Sequence, residues 1–496
     1  MISLKLQDAL NACAAALGDT RVVTEEHQLA QVNHATFVTT AISPAILKPV
    51  DRLQVAACLR IASQHRVPIY PISTGRNWGY GSAVAPQSGC LLLSLAALNS
   101  ILEFDAQTGR VRLEPGVTFL QLHTFLRAHN ARFQPPSTGS GMQTSIIGNI
   151  MERGIGKGLY EDMASHVHAC EALLANGQLL KTCRDSSGPA LFDLLPQNNL
   201  AVVVEVTLQL EPEPLHSQLI TFPFGRGMSG LQQALTTLHD TVMRGGPRMQ
   251  LAFLNDYRIA SQVEQFPHDS LDAQVALPRE WMRTRLAPWQ GAQWVGACTM
   301  LADDDDELAW RRNKLCATLH ALGLTPRIET PSTSPVQTLD DDGLRCAYWR
   351  KKLPMPSNPD PDRDRCGVIW IAPVMPLNIL DFESLITQLE FTTLAHGLEP
   401  AIALRTGRTA SIRLILGLFY DRDLDGADLR ALQCQSALKA LLQRAGIRCY
   451  RHTLLDSNDP IDEGTHGALW ALKAQLDPHS ILAPQRYHAP TGSPTK

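Results

Sequence analysis

No stretch of this sequence approaches the ~20 consecutive apolar residues that a membrane-spanning helix needs. Nor is there a run of Lys and Arg, and the net charge is −4, which argues against nucleic acid or an anionic membrane as the main partner. Eleven cysteines are present, but none stands in a CxxC pair or a His/Cys cluster. An odd number scattered over a long chain predicts reduced, buried thiols rather than a disulfide framework or a structural zinc site. Internal repeats and low-complexity tracts are missing too. What remains, 496 residues with 44% hydrophobic and 19% charged, has the composition of a globular enzyme with two or three domains.

The N-terminus, Met1 to Gly18, faintly imitates a signal peptide. However, Asp8 and Asn11 interrupt its apolar part, and Leu4, Leu10, Cys13, Ala14 and Leu17 fit one helix face. A first helix, and a cytoplasmic protein, are the expectation.

From there the pattern alternates. Ala45–Val50 reads as a strand, Asp51–Gln64 as a helix capped by Asp51, and Val67–Ile72 as the next strand. Cys90–Leu95 and Arg110–Leu113 read as strands, and Glu114-Pro115-Gly116-Val117 opens a helix through Leu126. Asn176-Gly177 between two apolar runs, His168–Ala175 and Gln178–Lys181, predicts a hairpin. Val202–Leu210 alternates as a half-buried strand does. Glu211-Pro212-Glu213-Pro214 reads as a linker, Gly230–Met243 as an amphipathic helix, and the acidic run Asp303–Glu307 as a solvated first helical turn. Gly446–Tyr487 reads as a strand and then a helix over Gly467–Leu476.

The strand ending at Ile72 runs into Ser73-Thr74-Gly75-Arg76-Asn77-Trp78-Gly79-Tyr80-Gly81-Ser82. Successive amides in such a glycine-punctuated loop can form an anion-binding concavity, although glycine-rich strand ends are commonly simple turns. The segment has neither the Lys-Ser/Thr ending of a P-loop nor the Rossmann spacing. Its wording resembles the diphosphate loop of the vanillyl-alcohol oxidase/p-cresol methylhydroxylase family of FAD-binding (PCMH-type) flavoproteins. A second segment, Ile147-Gly148-Asn149-Ile150-Met151-Glu152-Arg153-Gly154-Ile155-Gly156, is similar to the motif that lies against the flavin ring in that family. Ala347–Lys352 and Asp360–Trp370 resemble words in the cap domain of its 4-phenol-oxidising branch, and Leu476–Tyr487 resembles the family's ending.

The resemblance implies an α+β fold: a two-lobed FAD-binding domain over 1–213, a cap domain with an antiparallel sheet flanked by helices over 214–445, and a C-terminal segment, 446–496, returning to the FAD domain, with the active site between domains. It carries FAD contacts onto Thr74, Gly75, Arg76, Asn77, Trp78, Gly79, Ser82, Gly148, Asn149, Arg153, Gly154, Val203 and Arg486. Tyr80, Tyr450 and Arg451 fill the positions that bind a phenolate oxygen. A guanidinium favours the ionised form of a phenol whose free pKa is near ~10, and tyrosine hydroxyls add charge-assisted hydrogen bonds. Glu152 fills the place of the acidic residue near the flavin N5. A carboxyl in an apolar pocket would have a raised pKa, as a general base needs.

The implied reaction is hydride abstraction from the benzylic carbon of a para-substituted phenol, through a quinone methide. Oxygen or an electron-acceptor protein would reoxidise the flavin, and a homodimer is expected from relatives. An oxidase of the same fold acting on a non-phenolic alcohol or a secondary-metabolite biosynthetic intermediate is the alternative, and a flavin-binding electron-transfer subunit is a third. Some members attach the flavin covalently just after a Gly-Leu/Phe-Asp/Glu phrase. Here Gly397-Leu398-Glu399 is followed by Pro400, which cannot form the bond, so FAD is expected to be non-covalent. Ala201 and Gln485 stand where the family usually has glycine, and Lys157-Gly158-Leu159 replaces a Tyr-Thr-Pro phrase. These departures imply a specialised substrate.

Overall fold

The computed structural model describes residues 4–487 apart from 157, 226, 247, 287–288, 330–341, 408–409 and 457–462. The chain divides into two compact units, Met1–Pro212 with Arg451–Lys496, and Glu213–Tyr450.

The first unit is built on two sheets. In the four-stranded one, Val22–Val23, Ile46–Leu47, Leu91–Ser94 and Ile69–Ile72 lie in that order. Ile69–Ile72 and Leu91–Ser94 are parallel, with Ile69 opposite Leu91, and the helix Arg52–His65 precedes Ile69–Ile72. That helix starts where the sequence places its cap, since the Asp51 carboxylate accepts from the Gln54 amide at 2.8 Å, satisfying one of the orphan donors of the first turn. Its apolar stripe (Val55, Leu59, Ala62) packs with Ala9, Leu10 and Cys13 of Leu4–Leu17 against Leu91 and Leu93. Leu4 itself is exposed, so the first-helix face is narrower than its spacing suggests.

The second sheet is antiparallel, in the order Ile101–Asp105, Arg110–Leu113, Val202–Gln209, Val167–Leu173 and Leu179–Cys183. The hairpin forms around Asn176-Gly177, where Gly177 has φ +78° and Leu173 faces Leu179. Ile101–Asp105 is a strand that periodicity missed: its burial does not alternate cleanly, and pairing with Arg110–Leu113 decides it. Conversely, the expected strand over Ala45–Val50 shrinks to Ile46–Leu47. Glu114–Val117 stays outside the helix, which begins at Phe119 with a Thr118/Gln121 capping box.

The second unit carries a nine-stranded, wholly antiparallel sheet. Its strands run in the order Arg327–Glu329, His216–Phe224, Trp294–Ala302, Met249–Asn255, Ala401–Gly407, Ser411–Asp421, Pro373–Pro376 and Arg448–Cys449, with Cys366–Ile371 also paired to Ser411–Asp421. Met249–Asn255 alternates between buried and half-buried positions, the pattern of a sheet covered on one face. On the covered side lie helices such as Leu231–Arg244, whose Leu231, Leu235, Leu238 and Val242 are buried. The acidic run opens the helix Asp305–Ala321, with Asp304 as its cap. The two cap-domain words turn out to be staples within this unit. The Tyr348 hydroxyl donates to Asp364 at 2.6 Å, and Arg350 pairs with Glu399, each side chain 3% exposed. The architecture is the α+β one that the sequence led us to expect.

All eleven cysteines are free. Among the described residues no helix is long and apolar enough to cross a membrane.

Candidate active site

A cleft opens in the first unit. The end of the strand Ile69–Ile72 delivers the loop Ser73–Asn77 to its wall, and the Ser145-capped helix Ile146–Met151 delivers Gly148, Asn149 and Glu152. Ala201–Val203, Arg451, Leu482, Ala483 and Tyr487 complete the lining.

Gly75 has φ +72°, a left-handed turn that L residues resist. Among the described residues, the backbone N–H groups of Gly75, Arg76 and Asn77 take no protein acceptor, while the loop is tied back by Ser82 N–H to Asn77 O at 3.0 Å and Gly79 N–H to Thr36 Oγ1 at 2.8 Å. Unspent amides on a braced loop lining this cleft are what a diphosphate requires, so the residues present fit FAD. They would hold its diphosphate, with Val203 and the adjoining strand on the cavity wall.

Of the sequence-predicted contacts, Thr74, Gly75, Arg76, Asn77, Ser82, Gly148, Asn149 and Val203 line this cavity. Trp78 is buried behind the loop with the Arg76 guanidinium 5.2 Å from its ring, and Gly79 makes the brace to Thr36. Arg153 (φ +51°) and Gly154 turn the chain at the end of Ile146–Met151, where Gly154 N–H donates to Asn149 O at 2.7 Å. Arg486 is buried against Glu152 rather than along the wall.

Glu152 is the hub. Tyr487 Oη donates to its Oε1 at 2.6 Å, and Arg486 and Gln197 reach its Oε2 at 3.2 and 3.3 Å. Arg451 approaches to 3.8 Å. Burial pushes this carboxyl up, but the two guanidinium groups and the two hydrogen bonds outweigh it and hold the pKa below the ordinary carboxylate value. The raised pKa expected from an apolar pocket is thus corrected: the pocket is not apolar around this carboxylate. The opposite holds for Tyr487, which burial and then Glu152 push well above the usual phenol value.

The Arg451 guanidinium lies over the Tyr80 ring, 3.7 Å from its centroid, and donates to Asn77 Oδ1. Its Nε is buried with no hydrogen-bond partner. Tyr450 belongs to the second unit, where its N–H donates to Ala372 O at 3.1 Å and Arg413 lies 5.4 Å from its ring. Among the phenolate residues, then, Tyr80 and Arg451 are in contact. Pro400 is buried in the second unit with its carbonyl accepting from Asn255 at 2.7 Å, and His396 Nδ1 lies 2.8 Å from Thr392 O at a helix end. Ala201 lines the cavity. Lys157 lies outside the described residues.

Sequence reasoning missed Gln197, Tyr487 and Ser145. Tyr487 sits inside the recognised closing phrase and was within reach. Gln197 had no signal: it comes from an unremarkable polar stretch, and its role is visible only because its amide spans Glu152 and the His452 backbone.

Comparison with known proteins agrees with this geometry. Residues 43–182 match the model of an FAD binding domain family. The chain is similar to 1'-carboxy-chondrochloren decarboxylase of Chondromyces crocatus, at 34% identity over 97% of both proteins. It is also similar to the 4-cresol dehydrogenase [hydroxylating] flavoprotein subunit of Pseudomonas putida, at 30% over 42% of this chain and 43% of that protein. Among solved structures, p-cresol methylhydroxylase with substrate bound superposes at TM-score 0.87, covering 98% of this chain and 97% of that one at 21% identity. The 4-ethylphenol oxidase of Gulosibacter chungangensis in its isoeugenol complex gives 0.86, covering 99% and 98% at 18% identity. With a whole-length relative, a matched FAD binding domain and a cavity whose amides suit a diphosphate, the chain is an FAD-dependent oxidoreductase that belongs to the PCMH-type family of flavoproteins.

Proposed function

We propose that this enzyme removes a hydride from the benzylic carbon of a para-substituted phenol, and that the substrate carries a carboxylate on the next carbon, which leaves as CO2. The observation that carries the phenol is Arg451. Its guanidinium sits on the Tyr80 face with a buried Nε still unspent, a donor positioned for an oxyanion. In this reading Arg451 and Tyr80 bind the substrate as phenolate, whose charge is pushed toward the para carbon. FAD, when bound, supplies the two-electron acceptor for the hydride.

The resulting quinone methide needs two electrons at the benzylic carbon. A carboxylate on the neighbouring carbon provides them: the C–CO2 bond breaks, its pair becomes the new C=C bond, and the ring regains its aromatic phenolate. No water is added and no base is consumed. Glu152 favours this outcome over hydration, because a carboxylate held below its ordinary pKa by Arg486 and Arg451 is a weak base for activating water. The whole-length similarity to a protein named a decarboxylase supports it as well. Oxygen or a separate electron-acceptor protein then reoxidises the flavin. We place FAD, non-covalently bound, on 1–212 with 451–496, and the substrate domain on 213–450.

The test is anaerobic mixing of the purified holoenzyme with 4-alkylphenols and with 3-(4-hydroxyphenyl)propanoates. Bleaching of the flavin by both, with CO2 released only from the acid, is the expected result. Bleaching that does not require the 4-hydroxyl would shift the reading to an oxidase of a non-phenolic biosynthetic intermediate, and a hydrated product would remove the decarboxylation step.

A further inference from the structure

We infer that the second unit contains a carboxylate-recognition site centred on Arg258, an assignment that rests on the proposed reading that the substrate bears a carboxylate. Arg258 lies in the helix Asp256–Val263, its own N–H capped by Asn255 at 2.9 Å. The residue is 8% exposed, yet its Nε and Nη1 have no hydrogen-bond partner. Its guanidinium lies 5.3 Å from the Trp370 ring and 5.9 Å from that of Phe419. Those rings meet edge to face at 5.3 Å. Gly417 makes their pairing possible, since a Cβ there would come within 2.4 Å of Phe419 and 2.8 Å of Trp370.

Trp370 stands opposite Gly417 on the neighbouring strand, and on the same face of the sheet Arg405 stands directly opposite Arg413. Arg413 in turn covers the Tyr450 ring at 5.4 Å. Like charges in register across two strands cost stability. Burying a guanidinium is costly, and contacts with aromatic faces return only part of that cost. A stable fold that nonetheless holds a buried Arg258 with two unspent donors is organised for an anion. The planar fork of a guanidinium matches a carboxylate bidentately, and the aromatic pair would cover the apolar part of the same molecule.

The experiment is calorimetric titration of the holoenzyme and its Arg258→Gln variant with three probes: 3-(4-hydroxyphenyl)propanoate, 3-phenylpropanoate and 4-propylphenol. Loss of a charged hydrogen bond predicts that R258Q binds both acids at least about tenfold more weakly while 4-propylphenol is unaffected. Unchanged acid binding, failure of both acids to bind the wild type, or equal weakening of all three probes would overturn the site. If 3-phenylpropanoate binds through Arg258 but 4-propylphenol does not bind at all, the phenol reading fails and the carboxylate site stands. R258K, which keeps the charge without the fork, guards against misfolding and should bind the acids with intermediate affinity, its melt matching the wild type.

Discussion

Lys473 offers the sharpest test of how the cavity walls are held. Its side chain is buried, and its ammonium donates to Asn199 O at 2.6 Å, Leu482 O at 2.9 Å and Asp477 Oδ2 at 2.7 Å. Asn199 and Leu482 both line the cavity, so one ammonium ties its two backbone walls together. Lys473→Met leaves two carbonyls without this donor and Asp477 without its counter-charge. Breaking a buried pair from one side costs about 3–5 kcal/mol, and Asp477 keeps the Ile481 and Leu482 amides, so the lower part of that range applies, about 3–4 kcal/mol. At about 2–4 °C per kcal/mol for a unit of this size, the melting temperature should fall by about 6–16 °C, with earlier release of flavin. The alkaline limb adds a second signature. Burial, outweighing Asp477, lowers the pKa of Lys473 below its ordinary 10.5. Between the folded and unfolded values the unfolded chain binds more protons, so wild-type stability rises with pH in that window. The variant should lack this slope. Melts followed in parallel by flavin fluorescence and far-UV circular dichroism measure both, and a drop of less than about 2 °C with flavin retained would refute the clamp, since that is under 1 kcal/mol.

Gln485 occupies a left-handed position, φ +64°, that costs an L residue about 1–2 kcal/mol, of which glycine's greater unfolded-state freedom returns about 0.5–1 kcal/mol to the other side. Gln485→Gly should therefore raise the melting temperature by about 1–4 °C, and a fall would show that the glutamine side chain holds the tail. Acid precipitation of the holoenzyme should leave a yellow supernatant, because proline at position 400 offers no atom for a flavin bond, whereas a yellow pellet would locate an attachment residue elsewhere.

The sequence by itself determined what is written in local backbone chemistry. The Asp51 and Asp304 caps, the Asn176-Gly177 turn and the Gly75 loop depend on residues within a few positions of one another, where hydrogen-bond reach and allowed φ leave few choices. The family words therefore led to fold and cofactor. Strand limits were harder: Ile101–Asp105 exists because Arg110–Leu113 pairs with it, not because its own pattern demands it. Only the tertiary structure decided the direction in which Glu152's pKa moves, since Arg486 and Tyr487, which help to lower it, stand more than three hundred residues away in the chain. Desolvation can be guessed from neighbours in sequence, but Coulombic terms depend on distance in space. The same reason hid Arg258, whose unspent donors and aromatic bed come from a helix and two strands far apart in sequence, brought together by packing alone.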